Sequence, residues 1–161
     1  MKSRFPYILI ILILLVALFF EKCESPSNEV PSQSITYEEA NVLEEEFKRT
    51  RSRVIDASLG YQDTREFWFS LDTLKDYIHY VEHRAKKQKL TDLGIRIYFA
   101  AYPNDEASHD PGYSTVVLVP TSRTGVNPIQ QGFAPIAAED ENIENINALN
   151  YSQGGKPPKD L

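Results

Sequence analysis

Apolar and polar positions are patterned most sharply between Arg65 and Tyr102. Phe67, Trp68 and Phe69 are three aromatics in a row, suited to a packed, pleated surface, and they predict a first strand. Ser70 can cap a helix through its hydroxyl, and Asp72 places a carboxylate at the positive end of the helix dipole. Leu71, Leu74, Ile78, Val81 and Ala85 then recur at steps of three and four, the period of a helix with one buried stripe. Arg84, Lys86, Lys87 and Lys89 favour the far end of the dipole and Gly94 lies shortly beyond, so the helix should stop near Gln88. Ile95, Ile97, Phe99 and Ala101 alternate with Arg96, Tyr98, Ala100 and Tyr102, which predicts a second strand with two distinct faces. The expected unit is β-α-β, with parallel strands and a right-handed crossover.

Upstream, Thr36 with Glu39 forms a capping box and Ile35 can staple onto Ala40. Ala40, Leu43 and Phe47 continue one stripe, predicting a helix to about Arg51, while 53–60 (RVIDASLG) is divided between a short strand and an irregular approach. Downstream, 103–112 (PNDEASHDPG) carries loop chemistry. The β-branched stretch 114–120 (STVVLVP) predicts a strand that pairs with its predecessor as a hairpin and is closed by Pro120. Beyond Thr121 periodicity vanishes, yet Phe133, Ile136, Ile146, Leu149 and Tyr151 are too apolar for a solvated tail, so part of this segment should pack back. The fold class is α+β: a small sheet built on the β-α-β unit plus a hairpin strand, two helices on one face, and an N-terminal membrane anchor.

That anchor is the uncharged run from Phe5 to Phe20, preceded by Lys2 and Arg4, which favour an N-terminus held inside and the rest outside. An uncleaved signal anchor, a lipoprotein lipidated at Cys23 and a cleaved secreted form all export the domain; Lys22 departs from the small residue that normally precedes a lipidated cysteine. Cys23 is the only cysteine, so one chain can form neither an internal disulfide nor a thiolate metal cluster. Export without disulfides fits a bacterial envelope. The organisation read from composition is an anchor over 1–22, a Ser/Pro-rich linker over 23–34, one domain over 35–158 and a short tail over 159–161. Of the net charge of −6, the segment through Cys23 contributes +2 (Lys2, Arg4 and Lys22 against Glu21), leaving −8 on the remainder. Such acidity argues against nucleic acid, whose binding needs Lys and Arg to neutralise phosphates.

If Ile95, Ile97 and Phe99 face the helices, Arg96, Tyr98 and Tyr102 face the other side of the sheet, and Trp68 can join them. Either the C-terminal segment covers this aromatic face, with Arg96 paired to a carboxylate such as Glu139 or Asp140, or the face binds a ligand through its Tyr rings and Arg96. His79-Tyr80-Val81-Glu82-His83 fits H-x-x-E-H, a zinc-peptidase pattern, but the wheel places both histidines away from the apolar stripe, where no walled cleft surrounds them. No metal site, catalytic constellation or cofactor motif is assigned on these residues. The segments DTREFWFSLDTLKDYI, GIRIYFAAYP and LNYSQGGKPP resemble a group of small uncharacterised proteins of Bacteroidota, over roughly Arg53 to Pro158. The resemblance implies an envelope or secreted setting and transfers no activity. The expectation is an envelope protein tethered to the lipid bilayer by its N-terminal segment, acting as a non-enzymatic binding or interaction module for a protein or small-molecule ligand. A hydrolase, metal-dependent through the H-x-x-E-H helix, is the alternative.

Overall fold

In the computed structural model, which describes residues 29–123 and 140–161, the first two strands do not pair with each other. Strand β1 (Phe67–Trp68) pairs antiparallel with β5 (Gln153–Gly154), while β2 (Leu93–Ala101) pairs antiparallel with β3 (Ser114–Arg123). The parallel β-α-β expectation is therefore corrected to two small antiparallel sheets, and the class remains α+β. The cause is the C-terminal segment. Strand β4 (Asp140–Asn142) pairs with Thr121–Arg123, and Leu149 exchanges two backbone hydrogen bonds of 2.9 Å with Leu118, so the edge of β3 away from β2 is taken by the tail. The tail continues to β1 as β5. The predicted β2–β3 hairpin is present, with nine aligned pairs from Leu93↔Ser122 to Ala101↔Ser114.

Pro120 does not close β3, which runs on to Arg123. Its nitrogen faces the tail side, where the ladder with β2 needs no donor, and its carbonyl accepts from the Ile143 N–H at 2.8 Å.

Helix α3 (Leu71–Lys87) starts as predicted, with the Ser70 hydroxyl accepting from the Thr73 N–H at 3.0 Å and Asp72 in the first turn. Its buried stripe is rotated from the expected one: Tyr77, Val81 and Ala85 are buried, whereas Leu71 and Ile78 are exposed. Tyr77 can be buried because its hydroxyl donates to the carbonyls of Leu118 (2.9 Å) and Asn147 (3.1 Å), so the helix turns toward the tail. The turn into β2 is made by Lys89 and Asp92 at positive φ rather than by Gly94, which lies inside β2 opposite Thr121. The core joins Tyr77, Val81 and Ala85 to Val116, Leu118, Ile143 and Ile146, with Phe67, Phe69, Leu74 and Leu149 packed against it. The tail is thus part of the core.

Helix α1 (Tyr37–Phe47), a π-helical turn (Lys48–Ser52) and α2 (Arg53–Leu59) form one continuous rod, since Phe47 and Arg53 keep helical dihedrals at both junctions. Gly60, at φ 80°, ends it. The stretch 53–59 is therefore helical, neither strand nor irregular. No residue of α1 or α2 is buried. Polar contacts hold the rod: Arg65 to Glu44 at 3.2 Å, the Asp63 N–H to Asp56 at 2.8 Å, and Lys48 to Asp160 at 3.1 Å. The expectation of two helices on one face is corrected accordingly, because among the described residues α3 alone supplies helical residues to the core.

The chain divides into two units, 1–36 and 37–161. In the first, the Ser34 N–H donates to the Pro31 carbonyl. The predicted anchor and Cys23 lie outside the described residues, and among those described no helix is long and apolar enough to cross a membrane.

Candidate functional site

The pairing of β2 fixes what its backbone offers. The Tyr102 N–H donates to the Tyr113 carbonyl and the Arg123 N–H to the Asp92 carbonyl, so even-numbered residues of β2 direct their peptide groups toward β3. Leu93, Ile95, Ile97, Phe99 and Ala101 direct theirs to the outer edge. Among the described residues nothing pairs with that edge, which ends the order β2-β3-β4.

The same odd residues project to the face that carries α3, since Ile97 lies opposite Leu118 and Phe99 opposite Val116, both core residues. Yet Ile97 is 62 % and Phe99 82 % exposed. One helix cannot cover three strands and the tail. Tyr77 and Tyr80 on one flank of α3 reach Leu118 and Asn147, which draws the helix over β3 and the tail. Ile78 lies about 100° round from Tyr77, on the opposite flank, and is exposed. The result, among the described residues, is a nine-residue edge strand with free outward peptide groups and uncovered apolar side chains. Such edges are usually shortened, charged or covered, because they template pairing with another chain. Its one charge, Arg96, points to the other face.

On that other face the predicted ligand residues are only partly assembled. Arg96 donates to the Asn142 side-chain oxygen at 2.7 Å, to the Asp140 carbonyl at 2.6 Å and to the Tyr98 hydroxyl at 3.4 Å. Asn142 also donates to the Tyr98 hydroxyl at 2.7 Å. These bonds, the one from Asn142 first and that from Arg96 second, hold the Tyr98 phenol below its ordinary pKa. The Asp140 carboxylate turns to Arg123 instead, at 3.3 Å. Of the two residues expected to pair with Arg96, Asp140 offers its backbone carbonyl, and Glu139 lies outside the described residues. Tyr102 sends its hydroxyl to Asn150, and Trp68 sits in the other sheet, 60 % exposed. Trp68 thus lies in a different sheet from Arg96 and Tyr98, and the Arg96 guanidinium is bonded to the tail. The described part of the tail reaches this face from the sheet edge, through the pairing of β4 with β3.

His79, Glu82 and His83 are all exposed on α3, and among the described residues no three His, Cys, Asp or Glu side chains gather to hold a metal ion. An open groove of about 810 Å³ runs beside the rod, between Val42 and Arg49 on one side and Gln62 and Arg65 on the other. Its charges neutralise each other: Lys48 meets Glu45 and Asp160, and Arg49 meets Glu46. The Ser52 hydroxyl in its lining donates to the Asp56 carboxylate at 3.4 Å, and that carboxylate also accepts from the Asp63 N–H at 2.8 Å. Sequence patterning missed the outer edge of β2 because alternation places side chains on two faces without saying which face is covered. The available signal was the single five-residue stripe of the helix, too narrow for the whole sheet.

No protein-family model matches this chain, and neither a curated protein nor a solved structure is significantly similar to it. Function is therefore read from its own geometry.

Proposed function

We propose that this protein is a non-enzymatic interaction module that takes up an extended polypeptide segment by strand addition along the outer edge of β2. One observation carries the reading: the five residues with outward peptide groups are also the residues with uncovered apolar side chains. An added strand gains affinity from main-chain hydrogen bonds and selectivity from alternate side chains, and both are presented here on one line of backbone. The apolar run from Phe5 to Phe20 would tether the module to a lipid bilayer, with the acidic domain outside the cytoplasm of a bacterial cell, and the Ser/Pro-rich linker would give it reach. Retention by Cys23 lipidation serves the same end.

The test is photo-crosslinking from p-benzoylphenylalanine at Phe99, with His79 on the exposed helix face as the reference position, in cells producing the full chain. The expected result is a polypeptide adduct from position 99 that the reference lacks. Equal labelling from both positions, or none from position 99, overturns the reading.

A further inference from the structure

The sequence of β2 is self-complementary, and we infer that the polypeptide it takes up is β2 of a second copy of this chain, paired antiparallel about a two-fold axis through Ile97. The inference rests on the strand-addition reading and names its partner. Strand β2 covers nine residues, Leu93–Ala101, with Ile97 at the centre, so a two-fold there overlaps the whole strand. Ile97 carries outward peptide groups, which makes Ile97↔Ile97 of the partner a hydrogen-bonded pair, as are Ile95↔Phe99 and Leu93↔Ala101. Every outward N–H and C=O on both edges is then satisfied, in about ten bonds.

Side chains select the same register. On the α3 face Ile95 meets Phe99 of the partner subunit and Ile97 meets its own counterpart, so the exposed apolar residues are buried between two copies of α3 on one side of a continuous sheet. On the other face Arg96 lies opposite Tyr98 of the partner subunit, and its guanidinium can sit against that ring. Centring the axis on Arg96 would set two like charges directly across and shorten the overlap. Centring it on Tyr98 leaves Leu93 unpaired and gives Arg96 only Ala100 to face. The Ile97 register alone uses the full strand and separates the arginines. The interface is isologous and closed, so it ends at two copies.

The experiment uses the full chain carrying Cys23→Ser, so that introduced cysteines are the only thiols. Ile95→Cys and Phe99→Cys chains are mixed and oxidised. In the proposed register these positions face each other at about 5.5 Å between Cα atoms, within disulfide reach, whereas Ile95 lies four residues, or about 13 Å, from its own counterpart. The expected result is a mixed disulfide that exceeds the Ile95→Cys self-disulfide at least tenfold. Sedimentation of the wild-type chain should show a dimer that Ile97→Pro reduces to monomer. That proline removes an outward N–H only, so its circular dichroism should match wild type; Ile97→Lys serves as a second edge variant should the proline variant not fold. A chain that stays monomeric at all concentrations overturns the dimer, as does an equal self-disulfide at Ile95. Adducts from position 99 that map only to other polypeptides, or to residues 124–139 of the same chain, also overturn it. In the first of those two cases strand addition itself stands.

Discussion

Two isoleucines at different depths separate core from edge. Ile146, 3 % exposed on the tail, packs with Tyr77, Val81 and Leu118; Ile97, on β2, is 62 % exposed. Substituting Ile146→Ala withdraws three buried carbons, about 2.4 kcal/mol at ~0.8 kcal/mol per methylene. The cavity left under α3 raises the loss to about 3–4 kcal/mol. Ile97→Ala removes the same atoms from a largely hydrated site and leaves no cavity, so the loss in a monomer is under about 1 kcal/mol. The assay is urea unfolding followed by circular dichroism, at a concentration where the chain is monomeric. With a slope of about 2 kcal/mol per molar, Ile146→Ala should lower the midpoint by about 1.5–2 M and Ile97→Ala by less than about 0.5 M. Equal losses would refute the reasoning, because they would show that the β2 side chains are buried in the monomer. An insensitive Ile146 would remove the tail from the core.

Three further outcomes follow from the same contacts. Asp63, 6 % exposed, accepts from the backbone N–H groups of Thr64 and Ser114 at 2.8 Å and from the Ser114 hydroxyl, so Asp63→Ala should cost about 3 kcal/mol by urea unfolding and Asp63→Asn, which keeps the shared oxygen, about 1. Burial, first among its causes, pushes the Tyr77 phenol above its ordinary pKa, so the unfolded chain ionises first. Stability should hold below about pH 10 and fall as pH rises through the folded pKa, and Tyr77→Phe should flatten that alkaline fall in pH-dependent melts. Tyr98, held low by Asn142 and then Arg96, should titrate before an ordinary tyrosine in ultraviolet difference spectra, and Asn142→Ala should move it back upward.

Local signals predicted local structure well. Ser70 and Asp72 set the start of α3, the alternation around Ile97 set β2, and the β-branched run set β3. What failed depended on partners distant in sequence. Nothing near Phe67 announces that its strand will pair with Gln153 and Gly154 rather than β2, because the tail's claim on both strands is made by separate residues such as Leu149 and Ile143. Pro120 reads as a terminator until the direction of its nitrogen is known. The period of α3 marks one apolar stripe but not which of its residues are buried: Tyr77, with two carbonyl acceptors, is buried and Ile78 is exposed. Of the two readings open for the Arg96 face, the contacts of Arg96 and Tyr98 with Asp140 and Asn142 match the one in which the tail engages it, whereas Ile97 and Phe99, expected to face the helices, are exposed.

Residue-resolved amide hydrogen exchange of the full chain, dilute enough to be monomeric, tests the open edge most directly. The amides of Arg96, Tyr98, Ala100 and Tyr102 should be protected, while those of Ile95, Ile97, Phe99 and Ala101 exchange quickly, giving an alternation along one strand. Uniform protection of all eight in the monomer would contradict the account, because it would mean that the outer edge of β2 is already paired within its own chain.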